Sequence, residues 1–306
     1  MYIGLDIGGT KCAVILGDSQ GNIVKKIKFA TTSKDETLNN IFSAVEELGE
    51  CQSIGISCGG PLDEEKGLIL SPPNLPGWDN VPIVDMLRER FHVPARIMND
   101  ANACAVAEWR FGAGQGVDNM VFMTFGTGLG AGLILNGRLY SGGCGFAGEI
   151  GHIRLADHGP VGYGKSGSFE GFCSGGGLYK LGHNLAQEYM QRGITPAFVK
   201  NGELDSFTAA DMASAARNGD ECALEAFELC GKMLGQGLAT VCDILNPDVV
   251  VIGSIYARCR DLLEENTHKW LRIEALPAVV EHVKILPAAL GEQIGDVAAI
   301  SVAMSV

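Results

Sequence analysis

The chain has 306 residues, 46% of them hydrophobic and 19% charged, with a mean hydropathy of +0.16; this fills two ordinary cores and excludes disorder as the main state. A formal charge of −13 excludes general nucleic-acid binding, which needs a basic surface. Ten cysteines without a CxxC pair fit a reducing compartment, and no uninterrupted apolar stretch of about 18 residues or charged-then-apolar leader occurs, so a cytoplasmic protein with no membrane partner is expected.

The first elements form a β-meander. Tyr2 to Leu5 is an apolar run, Asp6-Ile7-Gly8-Gly9-Thr10-Lys11 a glycine turn, and Cys12 to Leu16 a second strand; Asp18-Ser19-Gln20-Gly21-Asn22 then opens a third, Ile23 to Phe29. A Rossmann turn or Walker-type loop hands its phosphate to the helix that follows, and here a strand follows. Without Cβ atoms the turn lets backbone N–H groups approach anionic oxygens, while Thr10 adds a hydroxyl, Lys11 a charge and Asp6 a carboxylate able to hold hydrated Mg²⁺; a tight hairpin with glycines for geometry alone is the other reading.

Ser33-Lys34-Asp35-Glu36 reads as a capping box before an amphipathic helix carrying Leu38, Ile41, Phe42, Val45 and Leu48. A buried strand over Ser53 to Ser57 leads through Cys58-Gly59-Gly60 to a Pro-rich loop containing Asn74. Pro82 starts a helix, Ala95 to Met98 is a strand, and Asn99-Asp100-Ala101-Asn102 turns into a helix over Ala103 to Phe111. Asp100 reads either as the N-cap of that helix or as a carboxylate placed at a strand end for proton transfer. Gly112 to Gly116 marks a lobe boundary, giving residues 1–114 as a first lobe and 115–292 as a second.

The meander then recurs. Asn119 to Thr124 is a strand, Phe125-Gly126-Thr127-Gly128-Leu129-Gly130 a second glycine turn, Ala131 to Leu135 a strand, and Asn136-Gly137 a hairpin signal. The repetition predicts a duplicated fold. Glu149-Ile150-Gly151-His152 offers metal ligands, a proton relay or polar groups satisfied by backbone. Helices are expected over Leu178 to Gln191, Ala209 to Arg217 and Glu221 to Leu245, a buried strand over Asp248 to Ile252 ending at Gly253-Ser254, and a last helix over Gln293 to Met304.

With both glycine turns and Asn-Asp-x-Asn in this order, the chain resembles the ROK family of bacterial sugar kinases and sugar-responsive repressors, within the actin, Hsp70 and sugar kinase superfamily. The resemblance implies an α/β, two-lobed, duplicated actin-like ATPase (ribonuclease H-like) fold with a cleft between lobes, the helix 293–306 returning to the first lobe. It also implies a homodimer and an ATP-dependent phosphotransferase acting on the 6-hydroxyl of glucose or a related hexose. Asp100 becomes the catalytic base and a sugar contact; Asn74, Asn99, Glu149, His152 and Glu170 become sugar ligands. Asp6, Gly8, Gly9, Thr10, Lys11, Gly126, Thr127, Gly128, Gly130, Gly253 and Ser254 become ATP or phosphate contacts, with Asp6 holding Mg²⁺ through water.

One segment departs from the family. Most members carry CxCGxxGCxE where this chain has Val161-Gly162-Tyr163-Gly164-Lys165-Ser166-Gly167-Ser168-Phe169-Glu170, so Val161, Tyr163 and Ser168 occupy the three thiol positions. Cys144, Cys173, Asp157 and His158 do not restore the spacing, and no structural Zn²⁺ site is expected. Phe169 and Tyr163 are expected to serve instead as apolar anchors. Two other classes compete with the kinase: a sugar-sensing regulator, although the family's repressors place a helix-turn-helix domain before the strand that begins here at residue 2, and a degenerate sugar-binding protein, against which Asp6, Lys11 and Asp100 argue.

Overall fold

A computed structural model describes all 306 residues. Strands β1 (Tyr2–Ile7), β2 (Lys11–Gly17) and β3 (Ile23–Ala30) are the expected meander, followed by α1 (Lys34–Leu48) and β4 (Ile54–Cys58). The short pair β5 (Leu62–Asp63) and β6 (Leu68–Ile69) precedes α2 (Ile83–Phe91), β7 (Ala95–Asn99) and α3 (Asp100–Phe111). The first sheet runs β3-β2-β1-β4-β7, antiparallel through the meander and parallel from β1 to β7. β4 is buried along its whole length, as an unbroken apolar strand inside a parallel arrangement should be.

Then come β8 (Met120–Phe125), β9 (Leu129–Leu135) and β10 (Arg138–Tyr140), the hairpin β11 (Val161–Gly162) and β12 (Lys165–Ser166), and helices α4 (Phe169–Phe172), α5 (Gly175–Gln191), α6 (Ala209–Arg217) and α7 (Glu221–Leu245). β13 (Val249–Ile252), α8 (Ile255–Arg258), α9 (Arg260–Glu274), α10 (Pro277–His282), β14 (Lys284–Pro287) and α11 (Ile294–Ala303) complete the chain. The second sheet runs β10-β9-β8-β13-β14. It repeats the order of the first, with a meander on one side of the central strand and parallel strands on the other, so the fold is a duplicated α/β actin-like architecture.

Two compact units result: residues 1–122, 132–147 and 289–306 in one, 123–131 and 148–288 in the other. This division falls later than the glycine-rich segment 112–116, because the hairpin at Asn136-Gly137 is tied back to the first unit, where the Gly137 N–H donates to the Asp118 carbonyl at 2.8 Å. In the first unit α11 lies directly on β1 and β4. Gly4 and Gly55 make that possible: a Cβ on Gly55 would sit 2.1 Å from the Ala303 nitrogen, and one on Gly4 2.7 Å from the Ala299 Cβ. Buried Glu108 fixes the approach of this helix by accepting from the N–H groups of Ala113, Ala289 and Leu290.

Several local expectations change. Ser33 caps α1 by accepting the Glu36 N–H, but the reciprocal half of a capping box is missing; a complete box occurs at Thr208 and Asp211. The last helix begins at Ile294, after a 3-10 turn over Gly291–Gln293. α5 starts three residues before Leu178, at Gly175, because Ser174 accepts the Gly177 N–H and sets the first turn earlier. α9 went unread because only Leu263, Thr267 and Leu271 are buried among its charges; Gly231 and Gly235 let it press on α7, a Cβ on Gly235 falling 2.5 Å from the Thr267 carbonyl oxygen.

Candidate active site

The first glycine turn joins β1 to β2 in the first unit. The Gly8 N–H closes the hairpin on the Lys11 carbonyl at 3.1 Å, while Thr31 secures it from outside, its hydroxyl donating to the Gly8 carbonyl at 2.6 Å and its N–H to the Thr10 carbonyl at 3.1 Å. Gly8 is therefore a structural donor, and the N–H groups of Gly9 and Thr10 are the ones left without an internal partner. Gly9 is required by a close approach: a Cβ there would stand 2.5 Å from the Asn74 carbonyl oxygen and 2.8 Å from the Asn74 Cβ. Asn74, expected in the Pro-rich loop and as a sugar ligand from the family resemblance, is thus packed on the turn.

Asp6 ends β1 just before this turn. Its pKa is pushed up to about 6, first by burial, then by the nearby carboxylates of Asp296 and Asp100; Lys26 and Lys11 offset this only in part. Asp296, on α11, is 6% exposed and forms an ion pair with Lys26 of β3. Sequence reasoning missed both residues, since one lies 290 positions from Asp6 and the other on an exposed strand face. A hydrated divalent cation fits this group, because its charge would favour the Asp6 carboxylate that burial and the neighbouring carboxylates both disfavour.

The β7–α3 junction supplies Asn99 and Asp100. The expected helix start at Ala103 is corrected to Asp100, and the cap is Asn99, whose Oδ1 accepts the N–H groups of Ala101 at 3.0 Å and Asn102 at 3.4 Å. The Asn99 N–H in turn donates to Glu64 Oε1 at 2.8 Å. The Asp100 carboxylate reaches solvent, yet protein crowds its other sides; that desolvation raises its pKa, while the Ala101 N–H 2.8 Å from Oδ1 opposes the rise. Asn74 Nδ2 and Asp100 Oδ2 each lie 3.8 Å from the point a Cβ on Gly59 would occupy, and Asn99 Nδ2 lies 3.7 Å from the same point on Gly60. Three predicted site residues thus gather over the Gly59-Gly60 backbone.

In the second unit the β8–β9 turn has the same logic. The Gly126 N–H donates to the Gly128 carbonyl at 3.2 Å and the Gly130 N–H to Thr124 Oγ1 at 3.0 Å, which leaves the Thr127 and Gly128 N–H groups without internal partners. Glu170, at the start of α4, accepts the Leu129 N–H at 3.1 Å and lies over Gly128, where a Cβ would be 2.8 Å from Oε2. Ser254 Oγ lies 3.7 Å from a Cβ position on Gly126, so the Gly253-Ser254 end of β13 borders this turn. Glu149 is exposed and precedes a single 3-10 turn over Ile150–His152, whose last residue, His152, is half-buried.

The segment that departs from the family folds as the β11–β12 hairpin. Val161 and Tyr163 are exposed, and the Ser168 hydroxyl caps α4 by accepting the Gly171 N–H at 3.1 Å. Cys144 is exposed, Cys173 is buried against the Cys230 carbonyl, and no group of three or more His, Cys, Asp or Glu side chains gathers to hold a metal. Phe169 is a fully buried anchor packed on Gly237. Tyr163 is not an anchor: it is 73% exposed, because the hairpin turn carries it away from the core.

The model of the ROK family matches residues 2–305. The chain belongs to the ROK family. It is 32% identical over 307 residues to a glucokinase of Halalkalibacterium halodurans, covering 96% of this chain and 92% of that one. A crystal structure of a ROK family glucokinase from Streptomyces griseus in complex with glucose and AMPPNP superimposes with a TM-score of 0.80 at 32% identity, covering 100% of this chain and 99% of that one. A xylose repressor of Caldicellulosiruptor bescii is 29% identical over 92% of this chain and 73% of its own length. No helix of the ROK chain is long and apolar enough to cross a membrane.

Proposed function

We propose that this ROK-family carbohydrate kinase transfers the γ-phosphoryl group of MgATP to the 6-hydroxyl of a free hexose, with glucose as the first candidate. The observation that carries the reading is the grouping over Gly59-Gly60: a carboxylate of raised pKa, Asp100, lies there together with two amide side chains able to hold sugar hydroxyls, Asn74 and Asn99. The reaction needs a base for the alcohol proton, donors for the phosphates and an orienting set for the sugar.

Asp100 takes the hydroxyl proton. The free N–H groups of Gly9 and Thr10 in one turn and of Thr127 and Gly128 in the other are donors of the right kind for phosphate oxygens, with the Lys11 ammonium adding charge. Glu149, His152 and Glu170 are assigned to sugar hydroxyls by their place in the family motif. A bound Mg²⁺ supplies neutralisation of the phosphate charge, and Asp6 is the residue to hold its water shell. Gly253 and Ser254 flank the nucleotide in this reading. The enzyme is assigned to the cytoplasm as a homodimer; its ten cysteines are all free, as they stay in a reducing compartment.

A sugar-responsive regulator is the second reading, favoured by the xylose repressor's similarity. The discriminating experiment is a screen of glucose, N-acylated hexosamines, fructose and allose with ADP release coupled to NADH oxidation, the product's phosphate position then read by NMR. Sugar-dependent ADP release with phosphate on the 6-hydroxyl supports the kinase. Saturable sugar binding without turnover supports the regulator.

A further inference from the structure

We infer that Tyr163 and Lys165 are positioning residues that set the orientation of His152, and through it the affinity for sugar; the inference rests on the sugar-ligand role of His152 proposed above. Tyr163 and Gly164 form the two-residue turn of the β11–β12 hairpin, with register Val161 to Ser166 and Gly162 to Lys165, and both have positive φ, +42° and +77°. Such a turn favours Asn or Gly at its first central position, and a bulky aromatic there is strained. Burial does not compensate, since the side chain is 73% exposed. What the strained residue does achieve is a contact: its ring meets the His152 imidazole edge to face, with centroids 5.1 Å apart and planes at 88°.

Lys165, across the same turn, reaches the backbone of that residue, its Nζ donating to the His152 carbonyl at 2.6 Å. Two further cations stiffen the support: Lys180 Nζ donates to the Val161 carbonyl at 2.5 Å and Arg154 to the Ser166 carbonyl at 2.7 Å. His152 ends a single 3-10 turn, which by itself fixes little, and its ring nitrogens form no hydrogen bond within the protein. One side chain therefore holds the ring and another the main chain, leaving both nitrogens available to hydroxyl groups. Strain kept at a surface turn and repaid by contact with a site residue is the pattern of pre-organisation.

The test uses D-glucose and MgATP with Tyr163→Gly, Tyr163→Phe, Lys165→Met and Lys165→Arg. Misplacing the imidazole should raise the glucose KM about tenfold or more in Tyr163→Gly and Lys165→Met, with the ATP KM within about twofold of wild type and kcat less affected than the glucose KM. Tyr163→Phe and Lys165→Arg should stay close to wild type. Tyr163→Gly relieves the positive-φ strain, so its Tm should be unchanged or higher, which a merely structural role would not give. In a His152→Ala background Tyr163→Gly should add nothing to the glucose KM.

A readout independent of turnover keeps this inference separate from the kinase assignment. In spectra of ¹³C-histidine-labelled protein without sugar, the His152 ring signal should move in Tyr163→Gly and Lys165→Met and return in Lys165→Arg. Failure of the wild type to phosphorylate any hexose would remove the kinase reading and leave the His152 signal to decide the positioning claim. An unmoved His152 signal, or equal rises in the glucose and ATP KM, would overturn it.

Discussion

Asn99 caps the helix that Asp100 begins: Asn99 Oδ1 accepts the Ala101 and Asn102 N–H groups, so the helix does not depend on the Asp100 carboxylate for its cap. In the proposed mechanism, structure and chemistry thereby fall to adjacent residues. Asn99→Ala should cost about 0.5–2 kcal/mol of stability, the usual range for a lost N-cap, as well as weakening sugar binding. Asp100→Asn should leave the Tm close to wild type. Chemical denaturation of both variants checks this, and a larger loss in Asp100→Asn than in Asn99→Ala would place the cap on the wrong residue.

Asp6 links stability to pH. Its pKa is about 6 in the folded protein against an ordinary 3.8, so between those values the native state binds the proton more tightly than the unfolded chain. The stability from this raised pKa is full below about 4 and is lost as pH rises through 6. Asp6→Asn should therefore have a higher Tm than wild type at pH 8 without nucleotide, with the difference closing near pH 4, while turnover falls and the requirement for Mg²⁺ rises. Thermal melts at both pH values measure the effect; an equal difference at both would refute the ionisation account.

Turn glycines should give distinguishable lesions. Gly9→Ala drives a Cβ against the Asn74 backbone, 2.5 Å from its oxygen, so the damage reaches both the turn proposed to hold phosphate and the residue proposed to hold sugar. Both the ATP KM and the sugar KM should rise, and kcat/KM should fall by about tenfold or more. Gly128→Ala meets only the end of the Glu170 side chain at 2.8 Å, which can swing aside, and should be milder. Steady-state kinetics with each substrate varied tests this, and a Gly9→Ala defect confined to ATP would contradict the packing of Asn74 on the turn.

The loop of residues 152–170 should be indifferent to zinc. At the family's thiol positions Val161 and Tyr163 are exposed and the Ser168 hydroxyl caps α4, while Cys173 lies buried against a backbone carbonyl. A zinc-selective chelator should leave both the Tm and, with Mg²⁺ in excess, turnover unchanged. Stoichiometric zinc surviving exhaustive dialysis would show that other residues assemble a site.

The duplicated meanders were legible because turn glycines and alternating apolar runs are local signals, and β4 and β13 because an unbroken apolar run marks a buried strand. Residues joined by tertiary approach were not legible. Lys26 and Asp296 meet beside Asp6 only after α11 packs on the first sheet, and Asn74 meets Gly9 only through the path of a Pro-rich loop. Asn99 and Asp100 could be named as a pair, but which one caps depends on where β7 ends, a matter of one residue. α9 hid because three buried positions among charged residues give a weak periodic signal.

The most direct test of the account is hexose-dependent ADP release by wild type and Asp100→Asn under saturating MgATP. Wild type should turn over, and the variant should show a kcat lower by about 10²-fold or more with sugar affinity largely kept, since the proposed base is removed while Asn74 and Asn99 remain. Near-normal turnover by a well-folded Asp100→Asn protein would contradict it.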